Sequence, residues 1–311
     1  MPTLEVHVVA LPMRVPFRGV TTREAVLLKG AQGWGEFAPF VEYGDEEAAR
    51  WLAAALEASE VGWPPAVRDE VPVNATVPAV AASEVAAVLA RFPGCTTAKV
   101  KVAQAGQSLR DDLDRVAAVR ELVPLVRVDA NGAWTLEEAV TALRALGDLE
   151  YAEQPCATVE ELAAVRRRVD VRIAADESVR KASDPLLVAR AEAADVIVLK
   201  VAPLGGVRPA LAVAEECGLP VVVSSALDTS VGIRAGLALA AALPSLPFAC
   251  GLATTSLMAA DVVEHSLDGH GGSMTLREVT PSRELLERYA APDDRQQWWR
   301  DRLARVLELL P

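Results

Sequence analysis

Short apolar segments alternate with amphipathic helical segments between residues 71 and 254. The apolar segments are rich in Val, Ile and Ala and contain few polar positions, which is typical of parallel strands buried on both faces. Eight strands joined by seven helices predict a closed α/β barrel rather than a doubly wound open sheet, because no G-x-G-x-x-G follows the first strand. The predicted strands are 71–77, 97–103, 125–130, 149–155, 171–177, 195–201, 219–225 and 247–253.

The two ends of the chain follow a different pattern. Residues 1–70 combine strand-like segments (TLEVHVVAL, REAVLLKG) with an amphipathic helix, DEEAARWLAAALEA, whose acidic residues stand at its start. This order indicates an α+β domain with antiparallel pairing. After residue 254 the alternation stops, and the tail from Ser282 has a helical pattern. We therefore predict a catalytic barrel over 71–254 and an α+β domain over 1–70, completed by about 255–311.

Composition narrows the classes of partner. The 311 residues carry a formal net charge of −12 and show no basic stripe, which argues against nucleic-acid binding. Four cysteines are scattered without a CxxC pair, and the N-terminus does not read as a signal peptide, so we expect a cytoplasmic protein. The uncharged stretch 235–253 is long enough for a membrane span, but Pro244 and Pro247 interrupt it. We predict instead a helix that ends at Leu243, a turn and a strand, with no membrane span.

Charged residues stand at the ends of successive predicted strands. Lys99 and Lys101 lie two residues apart and therefore share one face of the second strand. The third to sixth strands end, at intervals of 24, 23 and 24 residues, in Asp129, Glu153, Asp176 and Lys200. Each interval is one strand–helix unit, and such positions meet at the C-terminal mouth of a barrel, where barrel active sites lie. The six side chains are therefore predicted to form one cluster.

Three carboxylates that share one site repel one another, and a divalent cation would relieve that repulsion. Because the predicted ligands are oxygen atoms only, with no His or Cys among them, they favour a hard ion such as Mg²⁺ over zinc. A lysine in a partly desolvated site beside a cation has a lowered pKa, and we expect Lys99 and Lys101 each to lower the pKa of the other. A base beside a Lewis acid indicates proton abstraction α to a carboxylate. Purely structural ion pairing is the alternative.

Further polar residues near the predicted mouth are candidates for substrate binding. Arg127 should point into the barrel, either as a clamp for an anionic group or as an internal ion pair. The segment SSALDTSVG (224–232) offers hydroxyls and a helix N-terminus that can receive an anion or be capped in the ordinary way, and CGLAT (250–254) lets a ligand approach the backbone. Loops over 15–23 and 33–45 are candidate lids. The residues concerned are Arg127, Asn131, Ser224, Ser225, Gly251 and, from the first lid, Arg18 beside Phe17.

In chain order, KVK, VDAN, EQP, ADES and a Lys at the next strand end resemble the enolase superfamily, in its muconate-lactonizing-type branch. The resemblance covers nearly the whole chain. It implies a modified TIM-type (β/α)7β barrel with an α+β capping domain built from the N-terminal segment and the C-terminal tail. Within this branch, VRVDANGAW, SSALDTSVG and CGLAT are similar to the actinobacterial form of the o-succinylbenzoate synthase family, which acts in menaquinone biosynthesis.

The resemblance also implies a role for each matching residue. Lys101 would remove the α-proton of 2-succinyl-6-hydroxy-2,4-cyclohexadiene-1-carboxylate and return it to the leaving hydroxide, a syn dehydration to 2-succinylbenzoate. Lys200 would stabilise the enediolate from the opposite side, as sites of this superfamily pair a Lys base with Mg²⁺. Lys99 would lower the pKa of Lys101 and help to hold the carboxylate, and Arg127 would orient the substrate. The ligands of Mg²⁺, or of Mn²⁺ as a substitute, would be Asp129, Glu153 and Asp176.

Several alternatives stay open at this point. The branch also contains N-acylamino acid racemases and muconate cycloisomerases, and both lysines that racemisation needs are present here. A Schiff-base aldolase barrel would use Lys101 or Lys200 as a nucleophile and would need no metal. A non-catalytic barrel would bind a ligand without turnover. The main interpretation expects a small-molecule carboxylate as the ligand, and the sequence leaves the oligomeric state open.

Overall fold

Twelve strands and twelve α-helices form the part of the chain that the structure describes. The computed structural model describes residues 4–17, 19–180 and 185–310. The strands are β1 (Glu5–Phe17), β2 (Val20–Lys29), β3 (Trp34–Phe37), β4 (Glu70–Pro72), β5 (Ala75–Val77), β6 (Thr97–Lys101), β7 (Leu125–Asp129), β8 (Ala152–Glu153), β9 (Ile173–Ala175), β10 (Val196–Leu199), β11 (Val221–Val223) and β12 (Ser273–Thr275). The helices are α1 (Asp45–Leu56), α2 (Val85–Leu89), α3 (Leu109–Arg120), α4 (Leu136–Leu146), α5 (Val159–Arg166), α6 (Glu177–Arg180), α7 (Leu187–Arg190), α8 (Val201–Leu204), α9 (Val207–Cys217), α10 (Ser230–Ala242), α11 (Arg283–Arg288) and α12 (Asp293–Leu307).

Seven parallel strands form the wall of the barrel, in the order β11, β10, β9, β8, β7, β6 and β5. Both edges of this sheet bond to the same short segment. Cys250 forms a parallel bridge with Val73, just before β5, and Gly251 forms one with Ser224, just after β11. The Gly251 amide donates to the Val223 carbonyl at 2.8 Å. A two-residue eighth segment therefore closes the sheet, and the predicted barrel is confirmed.

Capping boxes fix the start of three barrel helices. Ser108 precedes α3, Thr135 precedes α4 and Thr158 precedes α5, and each hydroxyl accepts from the backbone N–H three residues later. The acidic side chain at that third position accepts in turn from the amide of the capping residue. Together the two bonds satisfy N–H groups that the first helical turn leaves unpaired, so each helix begins at a defined point after its strand.

The predicted strands are divided or shorter in the structure, and three of them differ most clearly. The sequence predicts residues 71–77 as one barrel strand, but β4 pairs antiparallel with β12 and only β5 joins the barrel. The division falls at Asn74, whose side-chain oxygen accepts from Arg127 at 3.1 Å. The strands predicted over 149–155 and 171–177 are limited to β8 and β9. Strand β8 ends because Gln154 has a φ of 41°, in the left-handed region.

The N-terminal α+β pattern folds as the antiparallel sheet β1–β2–β3, and α1 packs against β3. Strands β1 and β2 form a long hairpin in which Phe17 pairs with Val20. The predicted loop over 15–23 is therefore the tip of this hairpin, which follows a register shift between Pro12 and Phe17. Helix α12 returns to the same sheet, where the fully buried Trp299 meets the Phe37 ring edge-on at 6.0 Å. Both ends of the chain thus build one capping domain, as expected.

Carboxylates at helix N-termini join the capping domain to the barrel. Glu57, directly after α1, accepts from the backbone N–H of Val207 and, at 3.1 Å, from that of Arg208, in the first turn of α9. Unpaired N–H groups and the helix dipole make such a terminus favourable for a carboxylate. Glu36 makes a similar contact with α10, described below.

Helix α10 occupies the first part of the uncharged stretch 235–253. Helix α10 has Leu243 as its C-terminal capping residue, where the sequence predicts the helix to end. Cys95, Cys156, Cys217 and Cys250 are free and buried. Within the described ranges, no helix is both long enough and apolar enough to cross a bilayer.

Candidate active site

Charged side chains from neighbouring strands stand at one level of the barrel. Lys101 of β6 lies directly opposite Asp129 of β7, and Asp129 lies directly opposite Glu153 of β8. Asp176 follows β9 and Lys200 follows β10. The regular intervals in the sequence correspond to this alignment, because each interval carries the chain once around a strand–helix unit to the next strand end.

The two lysines of β6 bind the carboxylates beside them. Lys99 Nζ lies 2.6 Å from Glu153 Oε1 and 3.1 Å from Asp129 Oδ2. Lys101 Nζ lies 2.5 Å from the same Asp129 oxygen and donates to Asn131 Oδ1 at 2.7 Å. Carboxylates of the next two strands therefore neutralise the two lysine side chains inside the barrel.

Lys200 stands across the barrel from Lys101. Counted from β5 around the closed ring of eight segments, β6 is second and β10 is sixth, and these positions are opposite. Lys200 Nζ donates to Asp176 Oδ2 at 2.5 Å. A molecule held in the barrel mouth would therefore have one ammonium or amine group on each side.

Burial and ion pairing shift the pKa values of the two β6 lysines in opposite directions. Burial lowers the pKa of Lys101, and the Lys99 ammonium lowers it further, against the pull of Asp129. Burial acts on Lys99 as well, but Glu153 and Asp129 outweigh it and raise the pKa of Lys99 well above its ordinary value. The prediction that both lysines have a lowered pKa is therefore wrong for Lys99, because two carboxylates surround it.

The carboxylates also differ from one another. Burial raises the pKa of Glu153 to about 7, and the charges of Asp129 and Asp176 act in the same direction. Burial would raise the pKa of Asp129 too, but Lys101 and Lys99 hold it well below its ordinary value. The cluster therefore contains one carboxylate that is strongly stabilised as an anion and one whose charge is poorly compensated.

The poorly compensated carboxylate has an oxygen that could bind a hard cation. In this conformation the carboxylates bind lysines, and among the described residues no three His, Cys, Asp or Glu side chains are arranged as a metal site. However, Glu153 Oε2 is buried without a hydrogen-bond partner. Leaving such an oxygen unsatisfied is costly, and a divalent cation would satisfy it. An all-oxygen donor set from Asp129, Glu153 and Asp176 fits the chemistry of Mg²⁺.

A pocket lies above this cluster, between the barrel and the capping domain. It spans about 560 Å³ of space that protein atoms do not fill, part of which is open to solvent. The charged groups that line it are Lys99, Lys101, Asp129 and Lys200. The predicted substrate-binding residues that line it are Asn131, Ser224, Ser225 and Gly251. The fold therefore brings most of the candidate residues predicted from the sequence to one pocket.

Arg127 lies outside that pocket. Its side chain is fully buried, pairs with Glu150 and donates to the Ala249 carbonyl at 2.7 Å. The guanidinium also lies over the Tyr151 ring, 4.6 Å from its centre. Of the two predictions for Arg127, this geometry corresponds to the internal ion pair and not to the substrate clamp. Arg18 lies outside the described residues, so its contact with a substrate stays a prediction.

The N-terminus of α10 is capped by the protein's own carboxylates. Glu36 of β3 accepts from the N–H groups of Thr229 and Gly232, at 3.1 and 3.0 Å. Asp261 accepts from the N–H of Ser230 at 3.2 Å. The segment 224–232 therefore follows the ordinary-capping alternative, and the interpretation of this helix end as a site for a substrate anion is wrong.

Aromatic side chains of the capping domain complete the pocket. Phe17, at the end of β1, belongs to the predicted lid 15–23, and Phe40 and Tyr43 belong to the predicted lid 33–45. Ala226 and Leu227 lie in the predicted segment 224–232, and Thr254 lies in the predicted segment 250–254. The sequence analysis does not single out the lining residues Trp51 of α1, Thr76 of β5 and Pro203 of α8. The sequence does not identify Trp51 as a pocket residue, because a Trp on the apolar face of an amphipathic helix has the same pattern as a core residue.

Family models and known proteins agree with these observations. A model described as enolase C-terminal domain-like matches residues 81–281, and one described as enolase N-terminal domain-like matches residues 8–59. The muconate lactonizing enzyme of Pseudomonas putida superposes with a TM-score of 0.77 at 20% identity, over 93% of this chain and 99% of that chain. This likeness shows a shared fold.

Curated relatives narrow the family. An o-succinylbenzoate synthase of Mycobacterium tuberculosis is 60% identical over 307 residues, covering 98% of this chain and 94% of that protein. An o-succinylbenzoate synthase of Mycolicibacterium smegmatis is 61% identical over 300 residues, covering 96% of this chain and 93% of that protein. The resemblance inferred from the sequence motifs is thus confirmed. The chain belongs to the enolase superfamily and, within it, to the o-succinylbenzoate synthase family.

Proposed function

We propose that this protein dehydrates 2-succinyl-6-hydroxy-2,4-cyclohexadiene-1-carboxylate to 2-succinylbenzoate, with Lys101 as the general base. The observation that carries the proposal is the placement of Lys101 and Lys200 on opposite sides of a pocket that the buried Asp129 also lines, with Glu153 directly opposite Asp129 on the next strand. The family of the chain supports the reaction, since its relatives are o-succinylbenzoate synthases.

The residues that would hold the divalent metal of this superfamily are Asp129, Glu153 and Asp176. When bound there, Mg²⁺ supplies positive charge for a substrate carboxylate and for the negative charge that develops on it. Support comes from the unpartnered Glu153 Oε2 and from the raised pKa of Glu153, because both indicate an uncompensated anionic oxygen.

Lys101 would carry both proton transfers. Its neutral amine takes the proton from the ring carbon that bears the carboxylate, and the electron pair of that C–H bond passes towards the carboxylate. The resulting ammonium gives the proton to the ring hydroxyl, whose C–O bond breaks and releases water, and the ring becomes aromatic. A single group performs both steps, so proton and hydroxide leave from one face. The lowered pKa of Lys101 favours the amine that the first step needs.

Lys200 and Lys99 would act through charge. Lys200, on the opposite side, would stabilise the negative charge that develops on the substrate. Lys99 is held as a cation by Glu153 and Asp129 and lies on the same strand face as Lys101, where it disfavours a proton on Lys101. The roles of Lys200 and Lys99 differ because carboxylates bind Lys99 on the same strand as Lys101, whereas Lys200 lies across the pocket.

The test is turnover of the cyclohexadiene carboxylate, followed by ultraviolet absorbance, first with Mg²⁺ and then with excess EDTA. Turnover that EDTA abolishes supports the proposal. Absence of turnover with Mg²⁺ overturns the dehydration, and an N-acylamino acid would then be tested for racemisation. Turnover that is indifferent to EDTA overturns the metal site.

A further inference from the structure

We infer that Arg23 and Glu36 of the capping domain are positioning residues that hold the substrate-binding loop of the barrel. By holding this loop, they set the affinity of the protein for its substrate. The loop, defined here as residues 224–229, connects β11 to α10 and contributes four residues to the pocket lining. This inference rests on the proposed function, because it assumes that the pocket holds the substrate carboxylate.

Arg23 holds the middle of the loop by its carbonyl groups. Its Nε donates to the Leu227 carbonyl at 2.9 Å, and one terminal nitrogen lies 3.4 Å from the Ala226 carbonyl. The same nitrogen donates to the Ala38 carbonyl in the capping domain. The guanidinium lies over the ring of Phe40, itself a pocket residue, 4.6 Å from its centre. One buried cation therefore joins two walls of the pocket that come from different domains.

Glu36 holds the end of the loop. It accepts from the Thr229 N–H at 3.1 Å, from the Thr229 hydroxyl at 2.5 Å and from the Gly232 N–H at 3.0 Å. All three bonds go to one oxygen, Oε2. A Cβ on Gly232 would lie only 3.0 Å from that oxygen and 2.6 Å from Asp228 Cβ, so glycine leaves the space that the carboxylate fills.

The loop backbone needs this support. Leu227 has a φ of 66°, a left-handed conformation that a Leu adopts only when its surroundings impose it. The bond from Arg23 to its carbonyl and the bond from the Ala226 N–H to Asp228 Oδ2, at 2.9 Å, impose it from both sides. Loss of either capping-domain contact would let residues 224–229 relax towards an ordinary conformation and move the hydroxyls of Ser224 and Ser225.

The experiment compares Arg23→Met and Glu36→Ala with two matched controls. Arg68→Met removes an arginine that binds the Ala240 and Leu243 carbonyls at the other end of α10, away from the pocket. Glu57→Ala removes the carboxylate that caps α9 instead of α10. Both controls loosen a junction with the barrel without contacting the loop, so they report the cost of a weaker junction alone.

The measurements are KM and kcat with the cyclohexadiene carboxylate, and hydrogen exchange of the amides of 224–232 by mass spectrometry. We expect Arg23→Met and Glu36→Ala to raise KM about tenfold through the loss of the hydrogen bonds that hold the loop, with faster exchange in the loop and kcat changed less than KM. Glu36→Gln keeps an acceptor oxygen and should recover most of the affinity. The two controls should leave both the KM and the loop exchange at wild-type values.

An unchanged KM in Arg23→Met and Glu36→Ala, with or without faster exchange, overturns the inference. Equal KM increases in the controls overturn it as well, because a generally loosened junction would then explain the effect. Failure of the proposed function is recognised separately: the wild-type protein would lack turnover. In that case the affinity for 2-succinylbenzoate, measured by calorimetry, replaces KM, and loss of that affinity in the two variants alone supports the positioning role. If the wild-type protein does not bind 2-succinylbenzoate either, the inference is overturned together with the substrate assignment.

Discussion

Glu153 is held by Lys99 through only one of its two carboxylate oxygens. Lys99 Nζ lies 2.6 Å from Oε1, whereas Oε2 is buried without a partner. The free oxygen leaves this carboxylate poorly compensated, and burial, followed by the charges of Asp129 and Asp176, raises its pKa. Adding positive charge at Oε2 would remove both features, and for this reason the metal prediction depends on Glu153 more than on its neighbours.

Glu153→Gln should therefore weaken the binding of Mg²⁺. We expect a loss of at least about tenfold in affinity, because an anionic oxygen is replaced by an amide. The readout is the increase in melting temperature that Mg²⁺ produces, which follows the affinity of the folded protein for the ion and requires no turnover. Glu161→Gln is the control, because Glu161 caps α5 on the surface and keeps an acceptor oxygen when replaced. Equal stabilisation of both variants by Mg²⁺ would remove Glu153 from the ligand set.

Lys101→Ala should abolish most of the turnover and leave the fold intact. The loss of a general base typically costs about 10² to 10⁴ in rate. The measurement is kcat at saturating substrate, with far-ultraviolet circular dichroism as the test of folding. Lys29→Ala is the control, because Lys29 is an exposed lysine of β2 that pairs with Glu5 only at 3.6 Å. A kcat within threefold of the wild-type value would exclude Lys101 as the base.

Part of this site could be predicted from the sequence because strand ends recur at a fixed interval. Side chains at the ends of β7, β8 and β9 needed only the count of residues per strand–helix unit to be placed together. The same reasoning fails for contacts between distant segments. Glu36 binds Thr229 from 193 positions away, and no periodic pattern relates the two residues. For the helix end at residue 230 the sequence therefore left two interpretations, an anion site and ordinary capping.

The fold shows the same division between local and distant information. Capping boxes at Ser108, Thr135 and Thr158 define where barrel helices begin, and they are local in sequence. The division of the predicted strand 71–77 depends on β12, which is about 200 residues further along the chain. Apolar pattern alone predicted one strand there, because it does not contain the identity of the partner.

Arg127→Met should lower stability and leave the affinity for substrate nearly unchanged. The variant leaves Glu150 without its partner, and breaking a buried ion pair costs about 3 kcal/mol or more. Urea unfolding gives the free energy, and KM gives the substrate affinity. A large increase in KM at unchanged stability would instead restore the substrate clamp that the sequence offered as one of two interpretations of Arg127.

The stability of the protein should fall as pH rises, in part through Glu36. Burial raises the pKa of Glu36 from 4.5 to about 8, and the Asp228 carboxylate adds to this, against the Thr229 hydroxyl, Arg23 and the Gly232 N–H. A carboxyl group whose folded pKa lies above its unfolded pKa contributes stability below the unfolded value, and that contribution is lost as pH rises towards the folded value. The window for Glu36 is therefore about pH 4.5 to 8.

Glu36→Gln should flatten this dependence, because the amide stays neutral at every pH in the window and keeps an acceptor for Thr229 and Gly232. The free energy of unfolding in urea, measured at pH 5 and pH 8, should fall less in Glu36→Gln than in the wild-type protein. One pKa unit corresponds to about 1.4 kcal/mol, so a difference of at least that size is expected.

Asp228→Asn removes the other carboxylate, whose own pKa burial also raises, and should flatten the curve as well. Glu153 titrates in the same direction in all three proteins, so only the difference between them reports the Glu36–Asp228 pair. If the free energy of unfolding changes equally with pH in the three proteins, Glu36 and Asp228 do not cause the pH dependence.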